Sequence, residues 1–149
     1  YGFATLGAFA VVTLVRRAGG EATGLEAWGG VGRRNPLLGA LMTLFLLSLA
    51  GIPLTGGFIG KVVAFVPAWR AGYQWLVVVA VAASLITAAF YFRVIWSMFF
   101  APDGENVDVV TPGTTTWVVL AVGAVGTLAL GLAPGWVLGL ATQAANFLR

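Results

Sequence analysis

Cysteine and histidine are both missing from this chain of 149 residues. Without them there is no disulfide, cysteine nucleophile, Fe–S ligand, Cys/His zinc site or histidine acid–base chemistry in the chain. Charge is scarce too, since 9% of the residues are charged, whereas soluble domains carry about 25%. A net charge of +3 from so few groups cannot neutralise many phosphates, which excludes nucleic acid as a partner.

Hydrophobic residues dominate what is present. They make up 60% of the chain, and the mean hydropathy is +0.97. Such a composition excludes an ordinary soluble enzyme and is typical of a polytopic membrane protein. We therefore predict an all-α fold, a membrane helix bundle that forms a single membrane domain over residues 1–149, with the lipid bilayer as its surroundings.

Charged and turn-forming segments divide the chain into one partial and three complete transmembrane helices. The apolar run 1–15 is shorter than the roughly 20 residues that a spanning helix needs. We interpret it as the end of a helix, and the chain as the C-terminal fragment of a larger subunit. The complete spans are predicted at 37–68, 75–100 and 117–133, with a short turn at 67–74.

The second span is predicted to be broken. A continuous helix over 37–68 would be about 48 Å long at 1.5 Å per residue, against a bilayer core of about 30 Å. Proline removes a backbone donor, and glycines tolerate non-helical dihedral angles. We expect two half-helices, the second beginning near Phe58, with an unwound joint whose freed carbonyls bind water. The predicted break consists of Gly51, Pro53, Thr55, Gly56 and Gly57.

Lys61 is the only lysine in the chain and follows this break directly. One interpretation ends the span near Gly57 and lets the side chain reach the lipid headgroups as an anchor. The other places Lys61 in the first turn of the second half-helix, below the membrane surface, where ionisable residues are usually functional. Burial and the positive end of the helix dipole both disfavour a charged ammonium there. We favour the second interpretation, in which Lys61 is a proton-relay residue.

Arg93 is the second candidate, seven residues before the end of the third span at Phe100. It either anchors the helix at the interface among aromatic rings or forms an ion pair with a buried carboxylate on another helix.

The arginines predict the orientation. Loops 16–36 and 101–116 lie on one side because two spans separate them, and they contain four arginines and none, respectively. The other side has Arg70 and Arg149. This asymmetry indicates that loop 16–36 faces the cytoplasm.

Other catalytic signatures are absent. Gly60 and Lys61 do not form a phosphate-binding loop, because that motif needs Gly at 55 and Ser or Thr at 62, where this chain has Thr55 and Val62. No strand signal and no dinucleotide fingerprint occur. All five carboxylates lie in polar loops, so we predict no catalytic, cofactor-binding or metal-binding residues in this chain.

A continuous block strongly resembles the antiporter-like membrane subunits of proton-pumping NADH:quinone oxidoreductase (complex I). The block is Leu47-Ser48-Leu49-Ala50-Gly51-Ile52-Pro53-Leu54-Thr55-Gly56-Gly57-Phe58-Ile59-Gly60-Lys61. Two further stretches, Leu6-Gly7-Ala8-Phe9-Ala10-Val11-Val12 and Phe90-Tyr91-Phe92-Arg93, are most similar to the subunit N type. The resemblance covers essentially the whole chain.

The resemblance implies a subunit of about 14 helices, of which this chain would hold the last four. It implies that Lys61 ends a chain of buried ionisable residues whose other members precede Tyr1. It also implies that NADH, FMN, Fe–S clusters and quinone belong to other subunits of the parent complex, and that the other membrane-arm subunits are partners. The expected location is the bacterial cell membrane, as a multi-pass protein.

The expected function is therefore proton translocation coupled to electron transfer from NADH to quinone, within a translocase whose redox chemistry takes place outside this chain. Two alternatives stay open. One is a subunit of a multi-subunit cation/proton antiporter or a membrane-bound hydrogenase, which share the Gly-Ile-Pro block. The other is a structural membrane subunit in which Lys61 is only an anchor.

Overall fold

The structure is a computed structural model that describes residues 1–17, 20–21, 24–104, 107–135 and 139. Helices dominate these residues, and the three strands are short. In chain order the elements are α1 Gly2–Leu14, β1 Val15–Arg17, β2 Gly20–Glu21, a 3-10 helix Leu25–Trp28, α2 Val31–Arg34, α3 Pro36–Ala50, α4 Gly56–Arg70, α5 Gln74–Phe100, β3 Val107–Val109 and α6 Thr114–Leu132.

The predicted all-α membrane bundle with a broken second span is confirmed. By length and composition α5 and α6 can each cross a membrane, while α1 and α3 are shorter apolar helices. Pro36 occupies the first turn of α3, where a missing N–H costs nothing. The second span is divided into α3 and α4, and residues 51–55 between them are not helical.

Two segments differ from the sequence prediction. Gly56 and Gly57 are the first residues of α4 rather than part of the unwound joint. The predicted turn at 67–74 shrinks to 71–73, because α4 continues through Pro67 to Arg70. Pro67 lies in the last turn of α4, and its missing N–H removes one backbone hydrogen bond from the helix.

Three short strands occur for which the sequence carried no signal. Short segments of the two loops form a three-stranded sheet in the order β2-β1-β3. In the antiparallel pair of β1 and β3, Val15 lies opposite Val109 and Arg16 opposite Asp108. These strands have only two or three residues each, too few to show an alternating pattern in the sequence. Their pairing places loops 16–36 and 101–116 at the same end of the bundle, as the number of spans between them requires.

An ion pair joins the same two loops. The Arg33 guanidinium lies 2.6 Å from the carboxylate of Asp103 and also donates to the carbonyl of Phe99 at 2.8 Å. Both side chains are about half exposed, so this pair contributes modestly to stability. It ties α2 to the end of α5.

The hydrophobic core lies where α1 packs against α3 and α6. Phe45 of α3, Val11 of α1 and Leu120 of α6 are fully buried there. By contrast, α5 lies at the edge of the bundle, and Trp75, Leu85 and Ile86 are each at least two-thirds exposed. Such an apolar face is covered by lipid or by partner helices rather than by water.

The β1–β3 pairing can be tested by cross-linking. Val15 and Val109 form a non-hydrogen-bonded pair, because Val110 N–H donates to the Leu14 carbonyl at 2.8 Å. Their Cα atoms should be about 4.5 Å apart, which a disulfide can bridge. We expect Val15→Cys with Val109→Cys to form a disulfide under mild oxidation, detected by mass spectrometry of the digested subunit. In the control, Val15→Cys with Val110→Cys, the second cysteine projects to the opposite face. Equal cross-linking of both pairs would contradict this register.

Candidate functional site

The end of α3 is closed by a glycine in the left-handed region. Gly51 has φ 86° and ψ 39°, a conformation that costs glycine little because it has no Cβ. Its N–H donates to the carbonyls of Leu47 and Ser48 at 3.1 and 3.0 Å, and Ile52 N–H also donates to Leu47, at 3.0 Å. An α-helix leaves its last four carbonyls without partners. The cap at Gly51 therefore satisfies the first two of these four.

Lys61 satisfies the other two. Its Nζ donates to the carbonyl of Ala50 at 2.7 Å and to that of Leu49 at 3.4 Å. The half-buried side chain reaches back from the second turn of α4 and crosses directly over Gly51. A Cβ at position 51 would lie 2.8 Å from Cδ and 2.9 Å from Nζ of Lys61. Gly51 thus both ends α3 and leaves room for the lysine.

Two helix dipoles act on the Lys61 amine in opposite directions. The carbonyl end of α3 carries partial negative charge, which favours an ammonium, while the amino end of α4 carries partial positive charge, which disfavours one. The short contact to Ala50 places the amine at the carbonyl end. The freed carbonyls at the end of α3 therefore bind Lys61 itself, where the sequence argument had assigned them to water.

Ser48 holds the two half-helices together, and the sequence interpretation did not single it out. Its buried hydroxyl accepts a hydrogen bond from Gly57 N–H at 3.2 Å, which satisfies one of the unpaired donors at the start of α4. The backbone at Gly57 lies so close to the Ser48 carbonyl that a Cβ at 57 would overlap it. The available signal was a polar side chain close to the break in a mostly apolar half-helix.

The segment between the half-helices is held by a hydrogen bond within the segment and by contact with α6. Thr55 is buried, and its hydroxyl donates to the Ile52 carbonyl at 2.7 Å instead of capping α4. Leu54 has φ 74°, an unfavourable conformation for a residue with a Cβ. Gly131 of α6 lies directly against the Leu54 carbonyl. Pro53 is exposed on the outer side of this segment.

Arg93 lies apart from this site. It is exposed and lines a cavity of about 640 Å³ near the loop end of α5, together with Glu26 and Ser97. Within the described residues it has no ion pair or hydrogen bond. The structure thus does not bring Arg93 and Lys61 together, and both roles considered for Arg93 remain predictions.

A family model and several known proteins are similar to this chain. A family model described as "NADH:quinone oxidoreductase/Mrp antiporter, TM" matches residues 1–87, which include the break and Lys61 but not Arg93. NADH-quinone oxidoreductase subunit N of Cutibacterium acnes is 47% identical over 152 residues, covering 100% of this chain and 28% of that protein. Subunit N 3 of Streptomyces griseus is 53% identical over 150 residues, covering 100% of this chain and 27% of that protein.

A solved structure shows the same similarity. A chain in the structure of respiratory complex I from Thermus thermophilus with bound Aureothin superposes with a TM-score of 0.77 and is 33% identical. The match covers 93% of this chain and 33% of that one. The chain thus spans about 28% of the length of a curated relative such as the Cutibacterium acnes subunit.

The close approach of the half-helices predicts the effect of two glycine substitutions. Gly57→Ala should force α3 and α4 apart and weaken the Ser48 hydrogen bond, at a cost of about 1–3 kcal/mol of stability. Gly60→Ala is the matched control in the same helix, because a Cβ there has no neighbour within 4 Å. It should be neutral or stabilising by up to about 1 kcal/mol. Thermal stability of the purified, detergent-solubilised protein measures both, and a harmless Gly57→Ala would contradict the described packing.

Proposed function

We propose a function from one premise: the chain belongs to the NADH:quinone oxidoreductase/Mrp antiporter transmembrane family, whose model matches residues 1–87 of it. It is part of a subunit N type membrane subunit, and that subunit translocates protons within an NADH:quinone oxidoreductase. Electron transfer elsewhere in the complex drives the protonation and deprotonation of buried lysines, including Lys61. The remaining helices of a roughly 14-helix subunit lie in the part of the protein that this chain does not include.

The position of Lys61 is the observation that carries the proposal. Its amine is bonded to two backbone carbonyls inside a helix break. An anchoring lysine needs no such break and no glycine beneath its side chain. The subunit N names of the relatives and the similarity to a complex I chain support the choice of complex.

The geometry links the charge of Lys61 to the structure of the break. As an ammonium, Lys61 satisfies the carbonyls of Leu49 and Ala50 at the end of α3. When it releases its proton, the attraction between the amine and the carbonyl end of α3 weakens. Those carbonyls and the amine can then take other partners, including water. Proton movement is thereby coupled to a local rearrangement between α3 and α4.

The redox chemistry belongs to other subunits in this proposal. NADH, FMN, Fe–S clusters and quinone are bound elsewhere in the parent complex, and the other membrane-arm subunits are the partners of this chain. A cation/proton antiporter subunit is the second candidate, because the family description includes Mrp antiporters. The names of the relatives favour complex I.

We expect Lys61→Met to assemble and to lower redox-driven proton translocation on the order of tenfold or more, because methionine matches the length of the side chain but cannot carry a proton. Lys61→Arg should also impair pumping, since a guanidinium does not readily release its proton. The measurement is acidification by the assembled complex in proton-tight vesicles, with NADH oxidation followed in parallel.

Arg70→Met is the matched control, because it removes an exposed cation from the end of the same helix. It should pump normally. An anchoring lysine would give the reverse pattern, with Arg functional and Met poorly inserted. Normal pumping by a fully assembled Lys61→Met complex would refute the relay role.

The orientation follows from the arginines and the β1–β3 pairing. We expect the end of the bundle that carries loops 16–36 and 101–116 to face the cytoplasm. Single cysteines replace two exposed residues at opposite ends, Ala71→Cys and Thr111→Cys. In intact cells an impermeant maleimide should label position 71, and position 111 only after permeabilisation. The opposite labelling pattern would show that the orientation is wrong.

A further inference from the structure

Two hydrogen-bond donors share the carbonyl of Leu49. The Tyr1 hydroxyl donates to it at 3.1 Å, and Lys61 Nζ lies 3.4 Å from the same oxygen. Tyr1 is the N-cap of α1, so a third helix contributes to the site between α3 and α4. The phenol and the amine therefore share one acceptor.

Sharing this acceptor makes the contacts of Lys61 unequal. A carbonyl oxygen has two lone pairs and can accept two donors, but the tyrosine already occupies the Leu49 carbonyl at the shorter distance. The amine is consequently held by one short contact, 2.7 Å to Ala50, and one long contact, 3.4 Å to Leu49. A second short hydrogen bond from the ammonium to a carbonyl would stabilise the charged form of Lys61, because hydrogen bonds are stronger when the donor or acceptor is charged.

We infer that Tyr1 is a positioning residue for Lys61: its hydroxyl competes for the Leu49 carbonyl and so keeps the ammonium from being held too tightly to release its proton. When Lys61 is neutral, the same hydroxyl still satisfies that carbonyl. This inference rests on the proposed function of Lys61 as a proton relay. It adds a residue that carries no charge and transfers no proton itself.

The elements around Lys61 offer few other titratable groups. Among the described residues, α3 and α6 have no titratable side chain at all, and α1 adds none beyond Tyr1 at its N-cap. The remaining titratable side chains on the elements around Lys61 are Arg70 on α4 itself and Tyr91 and Arg93 on α5. Of this set only Tyr1 and Lys61 bond to the carbonyls at the end of α3.

The test is Tyr1→Phe in the full-length subunit of the assembled complex. Phenylalanine keeps the ring and removes only the hydroxyl, which leaves the Leu49 carbonyl free for the ammonium. The protons translocated per NADH oxidised are measured across a pH series. We expect the pH at which proton translocation declines on the alkaline side to rise by about one unit. At neutral pH, fewer protons should be translocated per NADH oxidised.

Tyr73→Phe is the matched control, since Tyr73 lies exposed in the turn between α4 and α5. Its profile should equal that of the unchanged complex. An unshifted Tyr1→Phe profile would overturn the inference, as would a downward shift or a loss of assembly without any shift. If Lys61→Met pumps normally, the proposed function itself fails. If Lys61→Met stops pumping and Tyr1→Phe leaves the profile unchanged, only the role of Tyr1 fails.

Discussion

The capture of the α3 carbonyls by Lys61 is the interaction on which the rest of the site depends. A helix that stops inside a membrane leaves carbonyls that water cannot freely satisfy, and each such group is costly. Here the cap at Gly51 satisfies Leu47 and Ser48, Lys61 satisfies Ala50, and Lys61 shares the carbonyl of Leu49 with Tyr1. The break therefore has a hydrogen-bond donor at its centre, and that donor is a group able to lose a proton.

Under the proposed function, this arrangement gives Lys61 a structural and a functional role. An ammonium at the carbonyl end of α3 is stabilised by the helix dipole, whereas the amino end of α4 opposes it. Because the two helix dipoles act on one amine in opposite directions, changes around the break can shift the balance between its charged and neutral forms. A buried charge with only favourable contacts would be a poor relay, because it would hold its proton permanently.

The neighbouring elements hold the two half-helices in place. Ser48 joins the end of α3 to the start of α4, and Gly131 lets α6 approach the segment between them. The strained Leu54 lies at that contact. Such strain persists only where surrounding packing enforces it, which indicates that α6 helps to fix the shape of the break.

The amino-acid sequence by itself determined the membrane class, the spans and the existence of a break, because hydropathy, proline and glycine act locally along the chain. It also singled out Lys61, since a lone charge in an apolar run is conspicuous. The partners of that lysine were decided only by tertiary structure. From the order of residues alone, only the dipole of α4 was expected to act on Lys61. In the folded chain, the end of α3, Ser48 and Tyr1 also lie at the break. Backbone carbonyls look identical in every sequence, so which of them a side chain reaches depends on how the helices pack.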